Sequence, residues 1–194
     1  MISLQNIQAL KQIIESVEKS LEHRIYFSSL ATIFILLDLC SKIESPEEKG
    51  NKKRYIKWIQ KHLEDVIQSD NYYLTAKNIY YLRCSMLHEG STNPTTQNNY
   101  LKYADKKVND IVAGVFEDTD KKIFAVNQGE EYPTLFVDIE YFCVKVNQAV
   151  RNWMETYKEK INNAEVYPFS IAVSIPGTEE NKLLILRSQP GPIK

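Results

Sequence analysis

The chain has 194 residues, enough to bury a sizeable core and to make one domain, or a domain with a small appendage. Its 24 basic and 25 acidic side chains leave a formal net charge of -1, which excludes recruitment of nucleic acid by a global positive field and confines any RNA binding to a local patch. Cys40, Cys84 and Cys143 lie far apart in apolar segments with no C-x-x-C pair, so they read as reduced core thiols of a cytosolic protein and indicate neither a disulfide framework nor a zinc knuckle.

Met1-Ile2-Ser3-Leu4-Gln5 lacks the basic region and apolar run of a secretion signal. Leu4, Ile7, Leu10, Ile13, Ile14, Val17 and Leu21 recur at three- and four-residue steps and predict a first amphipathic helix. A second helix spans about 25–43. Its run Ala31-Thr32-Ile33-Phe34-Ile35-Leu36-Leu37 is apolar on nearly every side, which predicts a central position in a bundle or a place at a subunit interface. Ser28, Ser29, Thr32 and Asp38 interrupt the apolar stretch, which is read as too short to cross a bilayer, so no membrane insertion is expected.

Ser45-Pro46 and Gly50 break the chain before a third helix, built on Tyr55, Ile56, Ile59, Leu63, Val66 and Ile67 and ending near 69–71. Its first half is basic. Lys52, Lys53, Arg54 and Lys57, with Lys49 and Lys61, could track RNA phosphates, although Glu44, Glu47, Glu48, Glu64 and Asp65 flank them and a solvated helix face accounts for the same pattern. A fourth helix, about 75–89, carries Ile79, Leu82, Met86 and Leu87 and stops at Gly90, a residue suited to a helix C-terminus. Residues 91–99 form a polar loop with one proline.

The pattern then turns β-branched and aromatic at 111–116, 122–126 and 134–137, with 127–133 as a hairpin connection, which predicts a small antiparallel sheet or hairpin. Asp138 is placed to cap a last long helix through Phe142, Val146, Ala149, Val150, Trp153 and Tyr157. The tail holds two further apolar runs, 169–175 and 183–186, either a hairpin or an arm for a partner. The expected architecture is therefore a single domain over 1–194: a mainly α bundle from about 4–90 plus 138–162, a β-rich insertion at about 108–137, and a C-terminal tail at 163–194.

The fourth helix ends Tyr80-Tyr81-Leu82-Arg83-Cys84-Ser85-Met86-Leu87-His88-Glu89-Gly90. An arginine fork stays charged and donates two hydrogen bonds to phosphate oxygens, and an imidazole moves protons near neutral pH, so Arg83 and His88 are the minimum equipment for cutting RNA without a metal. Five helical steps advance the chain about 7.5 Å and turn it roughly 140°, so the pair shares no face of an ideal helix and depends on the reach of Arg83. Asp38 is either a partner of Arg83 or an exposed polar residue, since a carboxylate buried alone in an apolar helix is costly. Tyr72-Tyr73 and Tyr80-Tyr81 suit base stacking or a half-buried core role. His23 and His62 have no metal-ligand spacing and read as structural. No phosphate-binding glycine loop or nucleophile elbow is present, which argues against ordinary nucleotide and serine hydrolases.

This helix order, with Leu36-Leu37-Asp38 in the central helix, Lys52-Lys53-Arg54-Tyr55-Ile56-Lys57-Trp58-Ile59 after a turn, and arginine, four residues and histidine late in the fourth helix, resembles the HEPN superfamily, the higher eukaryotes and prokaryotes nucleotide-binding domain. The likeness covers about 4–90 and the final helix. It implies a cytoplasmic homodimer that cuts single-stranded RNA without metal or cofactor, in a toxin or phage-defence setting, with an antitoxin or other protein as a further partner. Arg83 would hold the scissile phosphate and His88 would exchange a proton as the ribose 2′-hydroxyl attacks; Asp38, Cys84, Ser85 and Glu89 would support them. The chain departs from the nuclease members at Cys84, where they commonly carry Asn, Asp or His. The alternative is a non-catalytic HEPN-like dimeric binding or assembly module for a nucleotide, a nucleic acid or a protein.

Overall fold

The computed structural model describes residues 3–67, 74–90, 110–116, 122–126 and 134–164. They form a mainly helical bundle with a small sheet inserted before the last long helix. The helices are α1 (Ser3–Glu22), α2 (Tyr26–Glu44), α3 (Asn51–His62), α4 (Ala76–Glu89), α5 (Ile139–Thr156) and α6 (Lys158–Asn163), and the strands are β1 (Asp110–Gly114), β2 (Ile123–Val126) and β3 (Thr134–Asp138). The loop at 91–99, the connection at 127–133, Tyr72-Tyr73, the expected helix end at 69–71 and the apolar runs at 169–175 and 183–186 lie outside the described residues.

The all-round apolar character of α2 makes it the hub of the bundle. Leu30, Ile33, Phe34, Leu36, Leu37, Cys40 and Ile43 are buried, and the helix packs against α1, α3, α4, α5 and α6. Phe34 meets Phe142 of α5 at 5.9 Å between ring centroids. Among the described residues α2 is also the one helix long and apolar enough to cross a membrane, at 19 residues, against the expectation drawn from its shorter central run. Half of that stretch is buried inside the fold.

α3 stops at His62, sooner than its periodicity predicts, because Leu63 leaves helical geometry and a 3-10 turn (Glu64–Val66) follows. Leu63 and Ile67 nevertheless stay fully buried, which explains why the apolar spacing reads through the break. At α4, Thr75 and Asn78 make a reciprocal capping box, and Gly90 takes a left-handed conformation with φ 66° that closes the helix on the carbonyls of Met86 and Ser85.

The sheet has strand order β1-β3-β2, with β2–β3 antiparallel as expected and β1 added to the other edge of β3 in parallel. The chain thus passes from β1 across to β2 before returning through the centre. Ile111, Ala113, Ile123, Leu135 and Val137 bury one face of the sheet in the core. Asp138 ends β3 and caps α5, accepting from Tyr141 N at 2.8 Å and from Phe116 N at 3.3 Å, so one buried carboxylate ties strand, helix and the segment after β1. Asp138→Ala is expected to cost roughly 2 kcal/mol for the lost cap and the second orphaned N–H. A chemical denaturation midpoint unchanged from wild type would contradict that role.

The far end of α2 is fastened by Glu44. Its carboxylate accepts from Lys61 Nζ at 2.6 Å, His62 Nε2 at 2.7 Å and the Trp153 indole N–H at 2.8 Å, joining α2, α3 and α5. Burial alone would push the Glu44 carboxyl up; the hydrogen bond from Lys61, the charge and hydrogen bond of His62, and the Lys61 charge outweigh it and hold the carboxyl below 4.5. His62 also lies below its ordinary 6.5, because burial disfavours its charged form more than Glu44 favours it. Both groups therefore stabilise the fold above their unfolded-state values and lose that contribution as pH falls through the lowered folded-state values. The melting temperature is expected to decline between about pH 7 and pH 4, and Glu44→Gln to melt lower at neutral pH with a shallower loss in acid. An unaltered acid slope in the variant would show that Glu44 is not responsible.

Candidate active site

Arg83 projects from α4 toward α2, where Asp38 meets it. Asp38 Oδ2 accepts from Arg83 Nε at 3.1 Å and from Nη2 at 2.6 Å, and the Arg83 side chain is only 12% exposed and that of Asp38 22%. Of the two readings of Asp38, the structure therefore shows the partner of Arg83. Burial works against the guanidinium charge, but the Asp38 hydrogen bonds and charge, with Cys84, more than compensate and raise its pKa further. The arginine is permanently cationic and held on one edge.

The remaining terminal nitrogen faces the end of the helix. Nη1 lies 3.2 Å from His88 Nε2 and 3.9 Å from the Cys84 sulfur. The long arginine side chain thus bridges the roughly 140° between the two positions within a single chain. A guanidinium has no acceptor, so Nε2 takes this hydrogen bond with its lone pair and the ring proton sits on Nδ1. His88 is exposed, whereas Arg83 is largely covered.

Cys84 is buried, one helical turn after Tyr80 on α4. The Tyr80 phenol is pushed up to about 12, first by burial and then by Cys84. Tyr80, Arg83 and Cys84 follow the three- and four-residue spacing of one helix face, a signal present in the sequence but not used to place Tyr80 at the site. The other two thiols are far from ionising: burial holds Cys40 well above its ordinary value and Cys143 at about 12, the latter with help from Asp138 and Glu140. Ser85 is fully buried, in contrast to exposed His88. The side chain of Glu89 lies outside the described residues.

The basic segment of α3 divides among several tasks. Lys52 reaches α4, donating to the Tyr81 hydroxyl at 2.7 Å with its ammonium 4.9 Å from the Tyr81 ring centre and 5.7 Å from that of Tyr80. Lys53 pairs with Glu48 at 3.1 Å. Arg54 turns back to the Glu48 carbonyl and the Asn51 side chain. Lys57 is exposed and, with Lys52, Lys53 and Ile56, lines a shallow depression of about 520 Å³. Lys52 is thus the member of the segment brought against the helix that carries Arg83 and His88, while Arg54 serves the turn before α3. No cluster of three or more metal-ligating side chains occurs among the described residues.

The chain matches no family model, no curated protein and no solved structure.

Proposed function

We propose that the chain is a metal-independent endoribonuclease of the HEPN type that cuts single-stranded RNA. The observation that carries this reading is the Asp38–Arg83–His88 chain: a cation held on one edge by a carboxylate, with its other edge in contact with a surface imidazole. A substrate phosphate draws Arg83 Nη1 away from His88, because a charged acceptor is the stronger partner for a guanidinium. That frees Nε2 to take the proton of the ribose 2′-hydroxyl. The 2′-oxygen bonds to phosphorus, the bond to the 5′-oxygen breaks, and the leaving oxygen takes a proton back from the imidazolium. The products are a 2′,3′-cyclic phosphate and a 5′-hydroxyl. Lys52 and exposed Lys57 bind flanking phosphates. The cytoplasmic, homodimeric, toxin or phage-defence setting belongs to the same reading through the HEPN resemblance.

The test is cleavage of single-stranded RNA in EDTA with end-group analysis of the fragments. Cyclic phosphate ends that disappear in Arg83→Ala and His88→Ala support the reading; cleavage that persists in both sinks it. A second reading is a HEPN-like binding or assembly module without catalysis. One observation favours it: every guanidinium nitrogen of Arg83 already has a partner inside the chain, Nε and Nη2 on Asp38 and Nη1 on Cys84 and His88. It predicts no cleavage by the wild type and a lowered melting temperature in Arg83→Ala.

A further inference from the structure

Asp38 holds the guanidinium with one oxygen only. Oδ2 takes both Arg83 contacts, while Oδ1 is buried without a hydrogen-bond partner. A carboxylate accepts on both oxygens, and a buried acceptor left bare is costly, so Oδ1 calls for a donor. The hydroxyl of Tyr55 in α3 is in the complementary position of a buried donor without a partner. Its ring is fully buried and stands edge-on to Tyr80, with centroids 5.6 Å apart, and Tyr80 lies one helical turn before Arg83 and Cys84 on α4. Burial and, after it, the Asp38 carboxylate hold the Tyr55 phenol well above its ordinary value. The hydroxyl therefore keeps its proton in the field of the acceptor it lacks.

We propose that these two orphaned groups pair in solution, making Tyr55 a positioning residue: its hydroxyl donates to Asp38 Oδ1 and fixes the carboxylate so that Oδ2 alone grips Arg83. Nη1 is then left aimed at His88 and the surface. The consequence for activity rests on the ribonuclease reading, whereas the grip on Arg83 is measurable without it.

Tyr55→Phe and Asp38→Asn preserve side-chain shape, so the full chain is expected to fold in both. The experiment follows exchange of the Arg83 Nε–H by NMR, with thermal melting alongside and, in EDTA, cleavage of a fluorescent single-stranded RNA. Tyr55→Phe is expected to speed that exchange about tenfold, as loss of one hydrogen bond to a charged group implies. The double variant is expected to exchange no faster than Asp38→Asn alone, because both changes cut the same link. Where the wild type cleaves RNA, Tyr55→Phe lowers kcat in proportion. Unchanged Nε–H exchange in Tyr55→Phe, or additive effects in the double variant, overturns the proposal. A wild type that does not cleave defeats the ribonuclease reading instead, and the exchange data still decide the role of Tyr55.

Discussion

Arg83→Ala is expected to reduce cleavage of single-stranded RNA in EDTA by about 100- to 1,000-fold or more, the range lost when an enzyme gives up a charge-stabilising donor at its reacting group. The same change leaves the Asp38 carboxylate buried without its cation, so it should also cost roughly 2–4 kcal/mol of stability. His88→Ala separates the two effects. His88 is exposed at the end of α4, so its loss should leave the melting temperature nearly unchanged while cutting the rate by about 100- to 10,000-fold, the share that general acid–base catalysis supplies. Arg83→Lys keeps the charge but not the fork, and should not restore the rate. Parallel measurement of cleavage and melting in the three variants distinguishes catalysis from scaffolding. An active His88→Ala protein would remove the proton-transfer role outright.

Trp153→Ala carries the largest expected loss of stability. The indole is 2% exposed, stands 5.9 Å from Trp58 between ring centroids, and donates its N–H to Glu44. Truncation opens a cavity where α2, α3 and α5 meet and leaves Glu44 short of a donor, at a cost of roughly 3–5 kcal/mol. For a chain of this length that corresponds to a fall in melting temperature of roughly 10 °C. Trp153→Phe fills most of the space and should lose only about 1–2 kcal/mol, the worth of the indole hydrogen bond to a carboxylate. Equal losses in the two variants would mean that the cavity is unimportant and the Glu44 contact decisive.

Much of the fold was legible in the sequence because its signals are periodic. The apolar steps of α1 and α4, the near-continuous apolar run of α2 and the cap residue Asp138 each place an element within a residue or two of its observed bounds. The early end of α3 was not legible, since Leu63 and Ile67 remain in the core after the helix has stopped and keep the spacing intact. The parallel edge of the sheet was hidden for another reason: strand direction depends on where the chain crosses, and no residue of β1 encodes that. At the site, Arg83 and His88 stood out by type, and the link from Asp38 to Arg83 was one of the two readings that the cost of a lone carboxylate in an apolar helix left open. Tyr55 gave no such signal, because a buried tyrosine with an unmet hydroxyl looks in sequence like any aromatic core residue.

The strand order has a consequence for how the molecule assembles during synthesis. β1 has no described neighbour but β3, and β3 runs straight into α5 through the shared Asp138. When α1 to α4 have left the ribosome, the side of α2 that receives Phe142 is still bare, and β1 emerges to find its pairing strand not yet made. Closure of the sheet and sealing of the bundle by α5 are therefore one late event that spans long sequence separations, the kind of step that sets a slow folding rate. Until it happens, Phe34 and a strand edge are open to other chains, so truncation before residue 139 should yield a product that aggregates rather than a smaller working domain.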